Sequence, residues 1–167
     1  MPTPYTRRRT FLLALGVAGL ASGCGFRLRG PQPLIYSTMY VNVSQHSSLG
    51  AELRRRIRTS GTTTTVEDVA EADARLEIVR NSREREILSL SGGGSVREYE
   101  LTRHITFRVV DSNGEDAIPP TTLRARRDFT FDDEQVIAKQ REEDLLYEHM
   151  ETDLIDQIMR RLAALEA

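Results

Sequence analysis

Cysteine is almost missing from this chain: Cys24 is the only one in 167 residues. An internal disulfide, a CxxC redox pair and a cysteine zinc site are therefore excluded. No apolar run is long enough to cross a bilayer comfortably. Phe11 to Leu20 comes nearest, but it contains Gly16 and Gly19 and falls short of the roughly 20 apolar residues a spanning helix requires. Histidine occurs three times, at His46, His104 and His149, with no HExxH and no serine, histidine and acid at catalytic spacing. The acids lie on hydrated helix faces or strands, so an enzymatic reading finds no support. Gly92-Gly93-Gly94 is followed by Ser95-Val96 rather than Gly-Lys-Ser or Gly-Lys-Thr, so it is not a phosphate-cradling loop. Lysine is confined to Lys139, and every other basic residue is arginine. The planar guanidinium fork suits phosphate partners, although an arginine bias of this kind also follows from genome composition.

The N-terminus reads as a targeting segment rather than a structural element. Arg7, Arg8 and Arg9 form a charged start, Phe11 to Leu20 the apolar stretch, and Leu20-Ala21-Ser22-Gly23 places small residues directly before Cys24. That arrangement resembles a lipobox. A thiol there takes a diacylglycerol, and the small residues before it admit a signal peptidase, so Cys24 is the expected acylated N-terminus. Leu20 lies four residues before the cysteine, where three is usual. Arg8-Arg9-Thr10-Phe11-Leu12 fits the twin-arginine export route, and a plain charged start for general secretion accounts for the same residues. Gly25 after the cysteine, rather than Asp, favours the outer membrane.

Residues 1–23 are thus the expected signal, and 24–33, with two prolines and two glycines among basic residues, an acylated tether. Residues 34–167 are the size of one domain. Loss of the signal removes three arginines and no acid, which takes the net charge from −2 to −5 and argues against general nucleic-acid binding.

Within the domain, the alternation from Ile35 to Val43 predicts a strand with both faces partly covered. Ser47 or Ser48 caps a helix with Leu49, Leu53 and Ile57 on one stripe, ended by Gly61 in a left-handed turn. Arg54, Arg55, Arg56 and Arg58 crowd its last two turns, where the helix dipole favours cations. Thr62 to Val66 is a run of β-formers, and Glu67 to Asp73 an acidic link. A long hairpin follows. Ala74, Leu76 and Ile78 set an even phase that returns at Leu88 and Leu90, the polar middle from Asn81 to Glu86 is expected to project beyond the core, and Gly92-Gly93-Gly94 turns the chain. Tyr99, Leu101, Ile105, Phe107 and Val109 give the return strand one core face and leave the other to water. Ser112-Asn113-Gly114 and Pro119-Pro120 bound a loop, after which Leu123, Ala125, Phe129 and Phe131 form a further strand. Asp132, Asp133 and Glu134 open a last helix whose stripe is Leu146, Met150, Leu154, Ile158, Leu162 and Leu165. The expected fold is α+β, a two-layer sandwich with two helices on one face of a mostly antiparallel sheet of about four strands.

With these elements placed, the chain resembles the LptE family of lipopolysaccharide-assembly lipoproteins along essentially the whole mature length. Cys24-Gly25-Phe26-Arg27-Leu28-Arg29-Gly30 looks like the family's start after the lipobox. Glu98-Tyr99-Glu100-Leu101 enters the return strand, and Phe131-Asp132 precedes Ala138-Lys139, an acidic pair and a long C-terminal helix. The resemblance implies an α/β sandwich that plugs a large β-barrel of the LptD type and assists lipopolysaccharide in reaching the outer leaflet. It implies lipopolysaccharide contact through Lys139 and through a basic residue near the hairpin tip, where Arg97, just inside the turn, stands in for a side chain that the glycines do not supply. No cofactor is implied. A lipoprotein that scaffolds another envelope complex, or binds a different ligand, is the alternative that the same anchor and fold allow.

Arg103 and Arg127 fall in the apolar register of their strands, where unpaired charge is costly. Either they lie toward the sheet ends and carry their guanidinium groups to water, or they form a basic patch beside the core that meets lipid phosphate or acidic barrel residues.

Overall fold

The computed structural model describes residues 33–165. The expected export signal, Cys24 and most of the expected tether lie outside them. Strand β1 spans Thr38–Val41, helix α1 Ser48–Thr59 and strand β2 Thr64–Val66. A single 3-10 turn at Val69–Glu71 leads into β3, Ala74–Leu90, then β4, Val96–Asp111, and β5, Asp116–Thr130. A second such turn at Asp133–Gln135 precedes helix α2, Val136–Leu162. The sheet order is β2-β1-β3-β4-β5, with β1 parallel to both neighbours and the three long strands antiparallel. Two helices on a mixed sheet make the expected α+β sandwich. The strand count is five rather than about four, because three residues suffice to pair Thr64–Val66 with β1.

Helix α1 starts where Ser47 accepts a hydrogen bond from the Gly50 amide at 3.1 Å. It ends near Gly61 at φ +81°, a conformation glycine adopts without a Cβ clash. Leu49, Leu53 and Ile57 are buried as their spacing demands, and from α2 they meet Met150, Leu154, Ile155, Ile158 and Leu162. Against them the sheet sets Met39, Val41, Leu76, Leu101, Ile105, Phe107 and Phe129. Each such side chain, fully buried, contributes roughly 1.5–3 kcal/mol of hydrophobic stabilisation before chain entropy is set against it.

Three expectations need correction. The first concerns β3, which does not hold one phase. A register shift between Ile78 and Arg80 leaves Asn81, Arg83, Arg85 and Ile87 opposite Ile105, Arg103, Leu101 and Tyr99. The helix-facing side thus passes from even to odd positions, as a β-bulge requires. The polar middle of β3 consequently lies against α2 instead of projecting beyond the core. Tyr147 donates to the Glu84 carbonyl at 2.8 Å, and Arg85 pairs with Glu143 at 3.0 Å. The middle of β3 stays exposed beside the helix, at Val79, Asn81, Arg83 and Arg85, and the exposure continues to Ile87, Leu88 and Leu90 at its outer end.

The second correction is that no loop reaches to Pro120. The turn after β4 is short, with Gly114 at φ +86°, and β5 already contains Pro119 and Pro120. Strand β5 has a single neighbour, and the prolines sit where the register breaks between the Phe107 and Val109 pairings. An edge strand needs no outward donor there. The third is that the far face of β4 is not wholly wet. Thr102 and His104 are buried on it, with His104 between Glu84, 3.3 Å from Nε2, and Arg124, whose Nε donates to Nδ1 at 3.4 Å.

Candidate functional site

Four basic residues were singled out from the sequence, and the fold separates them. Arg103 points into the interior and is 3% exposed. It is ion-paired to Glu151 and donates to the Tyr147 carbonyl at 3.2 Å and to Asn81 Oδ1 at 3.3 Å. Burial pushes its guanidinium below the ordinary arginine value, Glu151 pulls it back up, and the nearby Arg83 adds to the depression. Arg103 does not snorkel to water, and its position closes it to a ligand. Its cost in the core register is met by an acid one turn below Tyr147 on α2, a pairing that spacing along β4 alone could not reveal.

Arg127 does reach water. Its side chain is 43% exposed and Nη2 lies 2.5 Å from Asp153 on α2. Arg97 is exposed, and its carbonyl accepts the Phe131 amide at 2.8 Å, which carries β4–β5 pairing one step past the strand end.

Lys139 is less exposed than its charged neighbours suggest. Its side chain retains 18% exposure, with Nζ 2.9 Å from Glu142 and 5.4 Å from the centre of the Phe129 ring. An ammonium over an aromatic face is held electrostatically by about 0.5–1 kcal/mol at an exposed site. Glu142 takes one of its three donors, and the remaining donors suit an oxyanion.

Arg97, through its backbone bond to Phe131, and Lys139, through the Phe129 ring, therefore share one end of the molecule with an aromatic cluster. Tyr99 and Phe131 meet edge to face at 5.6 Å between ring centres, and Phe129 lies 6.4 Å from Tyr99 and 6.3 Å from Phe131. Arg85 sits 4.6 Å over the Tyr99 ring. Large apolar side chains are exposed at the same end: Ile87, Leu88 and Leu90 on β3, and Val136 and Ile137 at the start of α2. Cations beside uncovered apolar surface match an amphiphile with an anionic head. The sequence reading missed this apolar half. The signal was Ile87-Leu88, two large apolar neighbours at a register shift, as Ile78-Val79 are at the first one. Among the described residues no helix is long and apolar enough to cross a membrane.

The family model described as LptE, lipopolysaccharide-assembly, matches residues 36–162. The LPS-assembly lipoprotein LptE of Pectobacterium atrosepticum is 30% identical, covering 93% of this chain and 86% of its own length. The protein of the same name from Yersinia enterocolitica is 27% identical over 96% of this chain and 79% of its own. Among solved structures, lipoprotein B from Nitrosomonas europaea superposes with a TM-score of 0.69 at 34% identity, covering 84% of this chain and 91% of that one. The rare lipoprotein B from Shewanella oneidensis gives 0.67 at 29% identity, with 77% and 95% covered.

Proposed function

The chain belongs to the LptE lipopolysaccharide-assembly family, and from that premise we propose that it is an outer-membrane lipoprotein, acylated at Cys24, that plugs an LptD-type β-barrel and contacts lipopolysaccharide on its way to the outer leaflet. The role is one of binding and positioning, without catalysis. The observation that supports it best is the end of the sandwich that carries Arg97, Lys139 and the Tyr99, Phe129 and Phe131 rings, with uncovered apolar residues beside them. A lipid with phosphates on its head and several acyl chains meets complementary groups of both kinds there. A wide barrel leaves a wet lumen, and the polar outer face of the sheet, with Glu77, Arg108, Thr106, Thr122 and Arg126, supplies hydrogen-bonding groups for such a wall.

Affinity purification of the tagged protein from outer membranes in mild detergent, followed by mass spectrometry, is expected to recover the barrel at near-equal stoichiometry. Depletion is expected to lower surface lipopolysaccharide. Absence of the barrel from the eluate while its membrane abundance is normal sinks this reading and favours a scaffold for another envelope complex. The anchor is tested separately: the intact mass of the membrane-extracted chain is expected to begin at Cys24 with added acyl mass, and Cys24→Ala to leave the signal uncleaved.

A further inference from the structure

Arg54 lies in the arginine-rich second half of α1 but does not share the solvated position of Arg55. Its side chain is 7% exposed, and its guanidinium is clamped by neutral acceptors. Nη1 donates to the Val43 carbonyl at 2.7 Å and the Gly50 carbonyl at 3.2 Å, and Nη2 to the Val41 carbonyl at 2.9 Å. Nε is buried and has no hydrogen-bond partner. The nearest acid is Glu67, whose carboxylate stops 3.8 Å from Nε and whose side chain is 71% exposed. A cation removed from water ordinarily has an anion in direct contact. Here Glu67 stands off from Nε instead, and Arg54 lines a cleft of ≈ 330 Å³ walled by the Tyr40–His46 segment and Glu67, so an anion reaches Nε only where Glu67 gives way.

We infer that this cleft at the β1–α1 corner is a carboxylate-binding site built on the unpartnered Nε edge of Arg54, in the place Glu67 vacates. Three carbonyls fix the guanidinium plane, so little side-chain freedom remains to be lost on binding. Nε and the adjacent Nη2 form the side-on fork that a planar carboxylate accepts. Arg54 is the only arginine or lysine in the lining, so it balances one negative charge and leaves a phosphate dianion undercompensated. Glu67 holds the approach at longer range, and its exposure lets it swing aside. Free small carboxylates and the acidic side chain of a protein partner share this chemistry. The site is separate from the end carrying Arg97 and Lys139, and it does not depend on the barrel assignment.

The test is nuclear magnetic resonance of the Arg54 Nε–H group in the detergent-solubilised full chain, titrated with acetate, inorganic phosphate and chloride at matched ionic strength. A saturable acetate shift stronger than that of phosphate, and absent with chloride, is expected. Glu67→Gln, an exposed change, is expected to tighten acetate about fivefold, which corresponds to about 1 kcal/mol and is the scale of one like charge removed at about 4 Å in water. Tighter binding of acetyl-Gly-Glu-Gly-amide than of acetate assigns the occupant to a protein side chain, and equal or weaker binding to a free carboxylate. No saturable shift in either the wild type or Glu67→Gln, or phosphate binding more tightly than acetate, overturns the inference.

Discussion

A buried ion pair at the sheet-helix interface stabilises chiefly while both members are present. Removing Glu151 leaves the Arg103 charge enclosed, with only Asn81 and the Tyr147 carbonyl as partners. Glu151→Ala is expected to lower stability by about 3–5 kcal/mol in urea melts. Arg103→Met combined with Glu151→Met is expected to cost less than the single change, because no charge is stranded; a double variant worse than Glu151→Ala refutes that account. Gly50 gives a second residue-level expectation that runs against helix propensity. Alanine inside a helix ordinarily gains up to about 1 kcal/mol over glycine. A Cβ at Gly50 would collide with the Ser44 carbonyl oxygen of the segment leading into the helix. Gly50→Ala is therefore expected to destabilise by about 1–3 kcal/mol. The sequence made the apolar stripe of α1 legible because period and cap agree. It did not reveal which arginine of four turns inward, since Arg54 is held through Nη1 and Nη2 by carbonyls of β1 and the segment after it, contacts that no local pattern encodes.

At the level of elements, acidic side chains tie the sheet's ends together and make the fold sensitive to acid. Asp73, just before β3, is held below the ordinary carboxylate range first by the Thr38 amide and then by the Thr38 hydroxyl, which joins β1 to β3. Asp111, the last residue of β4, is lowered first by the Glu115 amide. For Glu52 on α1, burial works to raise the pKa, and hydrogen bonds from Arg55 and Arg56 outweigh it. Depressed carboxylates contribute stability that is complete above their unfolded values, about 4, and is lost as pH falls through the lower folded values. The urea midpoint is expected to be flat from about pH 7 to 5 and to drop below about 4, with Asp73→Asn giving a lower midpoint at neutral pH and a shallower drop. An unchanged slope in that variant would remove Asp73 from the account. Element type was readable along nearly all of the domain, whereas the phase of β3 was not, because the bulge after Ile78 rests on contacts of Asn81 and Arg85 with β4 and α2.

Over the whole molecule, the ends of the sandwich differ. Leu34, near the start of the described residues, donates its amide to Thr62 at 2.8 Å and lies at the end of the sheet where β1, β2 and β3 begin. The Gly92-Gly93-Gly94 turn lies at the other end, one strand of 17 residues away, roughly 50 Å at about 3.3 Å per residue. The core occupies the near part, and Ile87, Leu88, Leu90, Val136 and Ile137 stay uncovered at the far part, where Arg97 and Lys139 also lie. Those apolar side chains add little to the folded monomer, so their removal separates folding from partner contact. Ile87→Ser, Leu88→Ser and Leu90→Ser together are expected to leave circular dichroism unchanged and the melting midpoint close to wild type, since exposed substitutions usually cost within about 0.5 kcal/mol each. Lys139→Asp with Arg97→Asp is expected to cost somewhat more than that, because Lys139 also loses the Phe129 ring and Glu142. Under the proposed function, both variants lose binding to purified lipopolysaccharide by about tenfold or more, the scale of one or two charge-assisted hydrogen bonds or of a few apolar groups left in water. Lipopolysaccharide is the right probe because its phosphates and its acyl chains report on the two sets separately. Loss in the charge variant alone assigns the far end to headgroup contact and leaves the apolar residues to the barrel wall, which reduced barrel recovery with the serine variant then checks. Wild-type binding by both variants, with folding intact, removes this end from the lipopolysaccharide path.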